Sequence, residues 1–141
     1  MPIELTKVTY TAAATAKGGR SGHVTSADGV IDLDTAPPSK LRPDPAANPE
    51  TLFAAGYAAC FQSALINRAK TQGIDASDST VTAEVSLGQS EDGGAGLAVA
   101  ITAAIPGLDS EKTQELVELA HQYCPYSKAT RGNINVTVSA T

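Results

Sequence analysis

The chain has no tryptophan, a single methionine and two phenylalanines, and aromatic residues fill only 4% of its 141 positions. With so little bulk, one copy has few ways to cover a fully apolar element, which suggests a core shared between two copies. Basic residues are scarce too. Ten Lys and Arg stand against fifteen Asp and Glu, a formal net charge of -5. That balance argues against a nucleic-acid partner, and no basic amphipathic stretch suits a membrane surface. The opening Met1-Pro2-Ile3-Glu4-Leu5-Thr6-Lys7 lacks the apolar run of a signal peptide, so a cytoplasmic location is expected. Cysteine is down to Cys60 and Cys124, distant in sequence and in no Cys-x-x-Cys motif. Two such residues make no disulfide framework, and in a reducing compartment a disulfide between them would be transient and catalytic.

What the chain does have is one apolar stretch with helix signals at both ends, residues 48–72. Asn48 can cap, Pro49 fits the first helical position, and Glu50 suits the positive end of the helix dipole. Arg68, Lys70 and Gly73 mark the other end. Between them Leu52, Phe53, Tyr57, Phe61, Leu65 and Ile66 project at too many angles for a helix with one wet face. Such a helix is expected to be buried all round. Gly56, Gln62 and Ser63 interrupt it, and it falls short of the about 20 apolar residues that span a bilayer. Cys60 sits at its middle.

The rest of the chain reads as a single domain over residues 1–141. Residues 3–16 are rich in Thr, Val, Ile and Tyr and predict a first strand. The turn Gly18-Gly19-Arg20-Ser21-Gly22 follows, and Ala27-Asp28-Gly29 between two β-prone runs predicts a hairpin over 23–33. Pro37, Pro38, Pro43 and Pro45 mark 35–47 as an extended loop. Alternation at Val81, Ala83, Val85 and Leu87, a Gly-rich turn, and Leu97, Val99, Ile101, Ala103 and Ile105 predict a long hairpin. Asp109 is a candidate cap for a second helix with Leu116, Val117, Ala120 and Cys124 on its apolar face, ended by Pro125. Ile134, Val136, Val138 and Ala140 share one side of a last strand. The predicted order is βββ-α-ββ-α-β, an α+β arrangement of antiparallel hairpins packed on helices.

Cys60 and Cys124 each have a plain reading as small apolar core residues. Both nevertheless fall where a helix meets the core, and two thiols can be bridged if their Cα atoms come within about 4.4–6.8 Å. A reactive thiol must be a thiolate, and an apolar surround raises its pKa unless a cation is near. Arg20 is the candidate cation, although a solvated turn arginine is the commoner case; the flanking glycines suit a backbone that must come close to something, which tips the balance a little. Glu50 is explained by the helix dipole alone, or it could hold the guanidinium by bidentate bonds. Ten residues of straight helix put Glu50 about 15 Å from Cys60. Either the helix breaks near Gly56, or the Glu50 serving a given Cys60 belongs to another chain. His121 and Cys124 have metal-ligand spacing, but a four-ligand zinc site would consume His23 and Cys60 as well, and no metal is expected. Neither a serine triad nor a phosphate loop is present.

Three stretches together resemble the organic hydroperoxide resistance proteins, a branch of the family that includes osmotically inducible protein C. They are Gly18-Gly19-Arg20-Ser21-Gly22; Asn48-Pro49-Glu50 through Ala58-Ala59-Cys60-Phe61; and Ala120-His121-Gln122-Tyr123-Cys124-Pro125-Tyr126-Ser127 through Thr130-Arg131-Gly132-Asn133-Ile134. The resemblance implies a thiol peroxidase with no bound cofactor. In it Cys60 is the peroxidatic cysteine, Cys124 the resolving one, and Arg20 and Glu50 the pair that activates the thiolate and orients the peroxide. It also implies an intertwined homodimer, its sheets wrapped around two central helices, re-reduced by a dihydrolipoyl dithiol (dihydrolipoamide or a lipoylated protein). Phe53 and Phe61 are expected to line a site for alkyl, aryl or fatty-acid hydroperoxides. The rival readings are a non-catalytic redox sensor or ligand-binding stress protein, a thiol–disulfide exchange protein, and the sister branch of the family.

Overall fold

Short strands with a glycine turn between them make up the N-terminal part. Strand β1 (Ala14–Lys17) pairs antiparallel with β2 (His23–Ser26), which pairs antiparallel with β3 (Asp32–Asp34). The computed structural model describes residues 2–38 and 46–141. They fall into two compact units, Met1–Pro49 and Glu50–Thr141. In the first, a single 3-10 turn at Gly19–Ser21 joins β1 to β2, with Gly18 and Gly19 at positive φ (84° and 58°). A Cβ on Gly22 would run into the Lys17 carbonyl. The glycines around Arg20 therefore serve the turn's own backbone, which crosses itself too closely for side chains. The predicted hairpin forms at Ala27–Gly29, where the Ser26 N–H donates to the Ile31 carbonyl at 2.8 Å. Thr35 bridges in parallel to Ala47. The Pro-rich loop predicted between them lies largely outside the described residues, at 39–45.

The first strand is shorter than residues 3–16. Positions 3–13 pair with no strand among the described residues, and Ile3, Leu5, Val8 and Tyr10 are 69%, 76%, 61% and 83% exposed. β-prone composition measures fit to a neighbouring pleated surface, and the described chain gives this segment none.

In the second unit, helix α1 (Pro49–Thr71) runs without a break through Gly56. Its buried residues are Tyr57, Phe61, Ala64, Leu65 and Ala69, one stripe at helical spacing. Burial on every side is not what this chain provides. Leu52, Phe53 and Ile66 are half-buried flanks, while Thr51, Ala55, Ala59, Ser63 and Asn67 form an exposed ridge of small side chains. Within one copy the burial expected on all sides reaches the stripe and its flanks, and the remaining side carries small and polar residues.

Strands β4 (Thr80–Gln89) and β5 (Ala95–Ala104) form the long antiparallel hairpin, with Val81, Ala83 and Val85 turned inward as their alternation requires. Helix α2 (Ser110–Tyr123) starts at Asp109, whose carboxylate accepts from the Lys112 N–H at 2.7 Å. It buries Leu116, Val117 and Ala120 against the sheet side of the core. Pro125 ends α2 and also begins a short helix the sequence reading lacked, α3 (Pro125–Thr130). The last strand, β6 (Val136–Ala140), starts two residues later than predicted and lies parallel to β5, so the second sheet is ordered β4-β5-β6 and is not wholly antiparallel. The core gathers α1, α2 and this sheet around Tyr57, Phe61, Leu65, Ile101, Leu116 and Val117.

Candidate dithiol site

Cys60 projects from the middle of α1, and Cys124 occupies the corner between α2 and α3. The two sulfurs are 3.6 Å apart, both as free thiols. Closing a disulfide of about 2.05 Å needs a relative shift of only about 1.5 Å. Their surroundings differ. Cys60 is half-buried, whereas Cys124 has no exposed surface. An oxidant arriving from solvent therefore meets Cys60 first.

The corner is held from several directions. The Cys124 N–H donates to the Ala120 carbonyl at 2.8 Å, and the Cys124 carbonyl accepts from the Lys128 N–H at 2.9 Å. On α1, one turn before Cys60, the buried Tyr57 hydroxyl bonds Ser127 Oγ at 2.8 Å and Thr130 Oγ1 at 3.1 Å. His121 Nδ1, in the last turn of α2, lies 2.8 Å from the same Ser127 Oγ. Arg131 Nη1 donates to the His121 carbonyl at 2.7 Å. The protons can be assigned. Thr130 donates to the Ser127 carbonyl at 3.3 Å, which leaves its oxygen to accept from Tyr57. Tyr57, its one proton given to Thr130, accepts from Ser127, and Ser127 Oγ in turn accepts from His121 Nδ1–H; burial, and then the Arg131 charge, push the His121 pKa down, which favours that neutral ring.

Next to this network Tyr126 lies against α1 at Gly56. A Cβ there would sit 2.8 Å from the Tyr126 hydroxyl oxygen, so the glycine is a notch for the ring. Tyr126 packs edge-on to Phe53 at 6.1 Å between centroids and tilted to Tyr57 at 5.7 Å. Phe53, Leu97, Pro125, Tyr126, Thr130 and Ile134 are among the lining of a largely apolar hollow of about 480 Å³. Phe61, by contrast, is wholly buried in the core.

The electrostatics of this unit oppose ionisation of Cys60. Burial pushes its thiol pKa up and the neighbouring Cys124 adds to the rise, while the Tyr126 backbone N–H directed at the sulfur pulls it down. Glu50 opens α1, half-buried, about 15 Å along the continuous helix from Cys60. Arg20 belongs to the first unit, exposed in its 3-10 turn. Thr35 staples that turn: the Gly22 N–H donates to Thr35 Oγ1 at 2.9 Å, and the Thr35 hydroxyl donates to the Gly19 carbonyl at 2.8 Å. His23 is held in the same unit by Asp34 at 2.8 Å and by Asp32. Among the described residues no group of three His, Cys, Asp or Glu could hold a metal ion. No described helix is long and apolar enough to cross a membrane.

The polar network, the Tyr126 N–H and the Gly56 notch were missed in the sequence. One signal was available: a tyrosine inside a buried run needs a partner for its hydroxyl. Ser127 and Thr130, three apart after a helix-starting proline, offer two on one face.

An α+β chain that sets two reduced sulfurs side by side where helices converge is a dithiol protein. Known proteins define it further. The profile of the OsmC-like protein family matches residues 42–139. The chain is 53% identical over 129 residues to organic hydroperoxide resistance protein OhrB of Bacillus subtilis, covering 90% of this chain and 94% of that one. It is 45% identical over 136 residues to the organic hydroperoxide resistance protein of Xanthomonas axonopodis pv. citri, covering 94% and 95%. The crystal structure of the Bacillus subtilis OhrB protein superposes with a TM-score of 0.89 at 49% identity, over 95% of this chain and all of that one. The chain belongs to the OsmC-like family, in its organic hydroperoxide resistance branch.

Proposed function

We propose that this chain is a cysteine-based thiol peroxidase that detoxifies organic hydroperoxides, as the names of its relatives suggest. The observation that carries the reading is the 3.6 Å approach of a half-buried thiol to a buried one. In the first step the Cys60 thiolate attacks the terminal oxygen of ROOH. The O–O bond breaks, the alkoxide takes a proton and leaves as ROH, and Cys60 becomes a sulfenic acid. In the second, the Cys124 sulfur displaces the sulfenic oxygen as water and the Cys60–Cys124 disulfide forms. A dihydrolipoyl dithiol, free or on a lipoylated protein, then reduces it by exchange and leaves as its own disulfide. No bound cofactor enters these steps.

Because burial disfavours the Cys60 anion, the reading needs a cation, and Arg20 supplies it. The guanidinium also stabilises charge on the departing oxygen. Glu50 orients Arg20. The unbroken α1 favours the second of the two possibilities raised by its spacing, that the Glu50 serving one Cys60 comes from a second copy. A homodimer is therefore part of the proposal. The exposed ridge of α1 and the unpaired apolar segment 3–10 are the surfaces that support it. The apolar hollow beside Tyr126, with Phe53 in its wall, favours alkyl, aryl or fatty-acid chains over hydrogen peroxide.

The deciding experiment is turnover of an alkyl hydroperoxide with dihydrolipoamide, thioredoxin or glutathione as reductant, beside the Cys60→Ser variant. Stoichiometric alcohol formation that requires Cys60 and dihydrolipoamide is expected. Full consumption by Cys60→Ser would leave a non-catalytic sensor as the better account, and reduction by thioredoxin alone would overturn the reductant.

A further inference from the structure

We propose that Ser127 is a positioning residue, whose buried hydroxyl ties α3 to both α1 and α2 and so holds Cys124 against Cys60. The proposal deepens the dithiol chemistry above. Cys124 lies at a bend, with extended backbone between two helices. The backbone bonds of Cys124 itself run to α2 and α3, at Ala120 and Lys128, and fix it within its own bend. Across to α1, which carries Cys60, the backbone sends one bond to a weak acceptor, the Tyr126 N–H to the Cys60 sulfur. The stronger links across come from side chains. Ser127 Oγ is 2.8 Å from Tyr57 Oη on α1 and 2.8 Å from His121 Nδ1 on α2, and Thr130 adds a second bond to the same tyrosine.

All of Tyr57, Ser127 and Thr130 are buried, at 0%, 0% and 5% exposure. A polar cluster of that kind in an apolar core adds little net stability over well-packed carbon. What it adds is directional: apolar surfaces can slide past one another, and a satisfied hydroxyl chain cannot without losing bonds. No buried side-chain N or O in the described structure lacks a partner, so the cluster is complete as it stands. Tyr57 lies one turn before Cys60 and Ser127 one turn after Cys124, which sets their bond as a brace beside the sulfur pair. Removing it lets the two helices separate by the fraction of an ångström that disulfide closure cannot spare.

The test reads the dithiol itself, independently of any peroxide. Reduced protein is equilibrated with mixtures of reduced and oxidised glutathione, and the effective concentration of Cys124 towards Cys60 is obtained from the fraction of disulfide. Ser127→Ala and Tyr57→Phe, which cut the same bond from opposite ends, should each lower it by about three- to tenfold. The double variant should fall by less than the product of the two single effects, because the singles share one bond. Ile101→Val, a core truncation on β5 that cuts no hydrogen bond, should stay within twofold of the parent. Under excess oxidant the longer-lived sulfenic acid in the two hydroxyl variants should yield more Cys60 sulfinic acid by mass spectrometry. An unchanged effective concentration in folded Ser127→Ala and Tyr57→Phe overturns the proposal, as does an equal fall in Ile101→Val. A parent chain that consumes no alkyl hydroperoxide would sink the peroxidase reading and leave this equilibrium measurement intact.

Discussion

A half-buried thiol with a second thiol beside it has poor prospects as an anion, and Cys60 is such a thiol. Within its unit a single backbone N–H, that of Tyr126, works against the burial and the Cys124 neighbour that raise its pKa. If Arg20 supplies the missing charge, Arg20→Ala should shift the pH profile of Cys60 alkylation upward and slow peroxide consumption by a factor of ten or more, as about one pKa unit implies. Arg20→Lys should recover only part, since a point charge replaces the planar fork. An alkylation profile that Arg20→Ala leaves unmoved would remove the arginine from the mechanism. The two phenylalanines separate at the same scale. Phe61→Ala empties a fully buried site and should cost about 3–5 kcal/mol in a urea melt. Phe53→Ala, at the wall of the hollow, should raise KM for bulky hydroperoxides at far smaller cost in stability.

Among the elements, α1 shows how a helix can be legible in extent and less so in surroundings. Its start and stop were written in Pro49 and Gly73, and it runs from Pro49 to Thr71. The spacing of Tyr57, Phe61, Leu65 and Ala69 also marks its buried stripe, but the surrounding leucines and alanines hid the ridge of Ala55, Ala59 and Ser63. The alternating strands and the Asp109 cap were equally readable, because each rests on local periodicity or a single hydrogen bond. Not readable were features that depend on residues distant in sequence: the parallel pairing of β6, the length of β1, and the seat of Tyr126 on Gly56. For the site, the two cysteines were legible as a pair through the resemblance, whereas the hydroxyl chain beside them needs Tyr57 and Ser127 to meet across 70 residues. Gly56 gives a test at this scale. An alanine in a helix interior normally gains about 0.5–1 kcal/mol over glycine. Gly56→Ala should show no such gain, because its methyl displaces the Tyr126 ring, and a urea melt with the full gain would refute the notch.

Across the whole molecule the two histidines should respond to acid in opposite ways. His23, bonded to Asp34 and Asp32, has a raised pKa, so its contribution is complete below about 6.5 and disappears as pH climbs through the folded value. His121, pushed down by burial and by Arg131, contributes nothing above about 6.5 and subtracts stability as pH falls below it, since the unfolded chain takes up a proton the folded one resists. In proton NMR the two imidazoles should titrate on either side of about 6.5, His23 higher, with His23→Gln assigning them. Both midpoints on one side would contradict the contacts. The proposed pairing of copies has its own measurement. Ala59→Arg, on the exposed ridge of α1, should turn a dimer into monomers in sedimentation equilibrium while leaving the circular dichroism of the fold intact.

The parallel alignment of β6 with β5 governs when the sulfurs can meet. Parallel neighbours cannot be joined by a tight turn, so the chain between them makes a long excursion, and α2, Cys124 and α3 all lie on it. That excursion is tied down at its far end, where Gln114 donates to the Val138 carbonyl at 3.2 Å and accepts from the Ala140 N–H at 2.8 Å. A ribosome delivers Cys60 well before it delivers those last residues. Throughout that interval a nascent chain carries a sulfur whose companion has no fixed address.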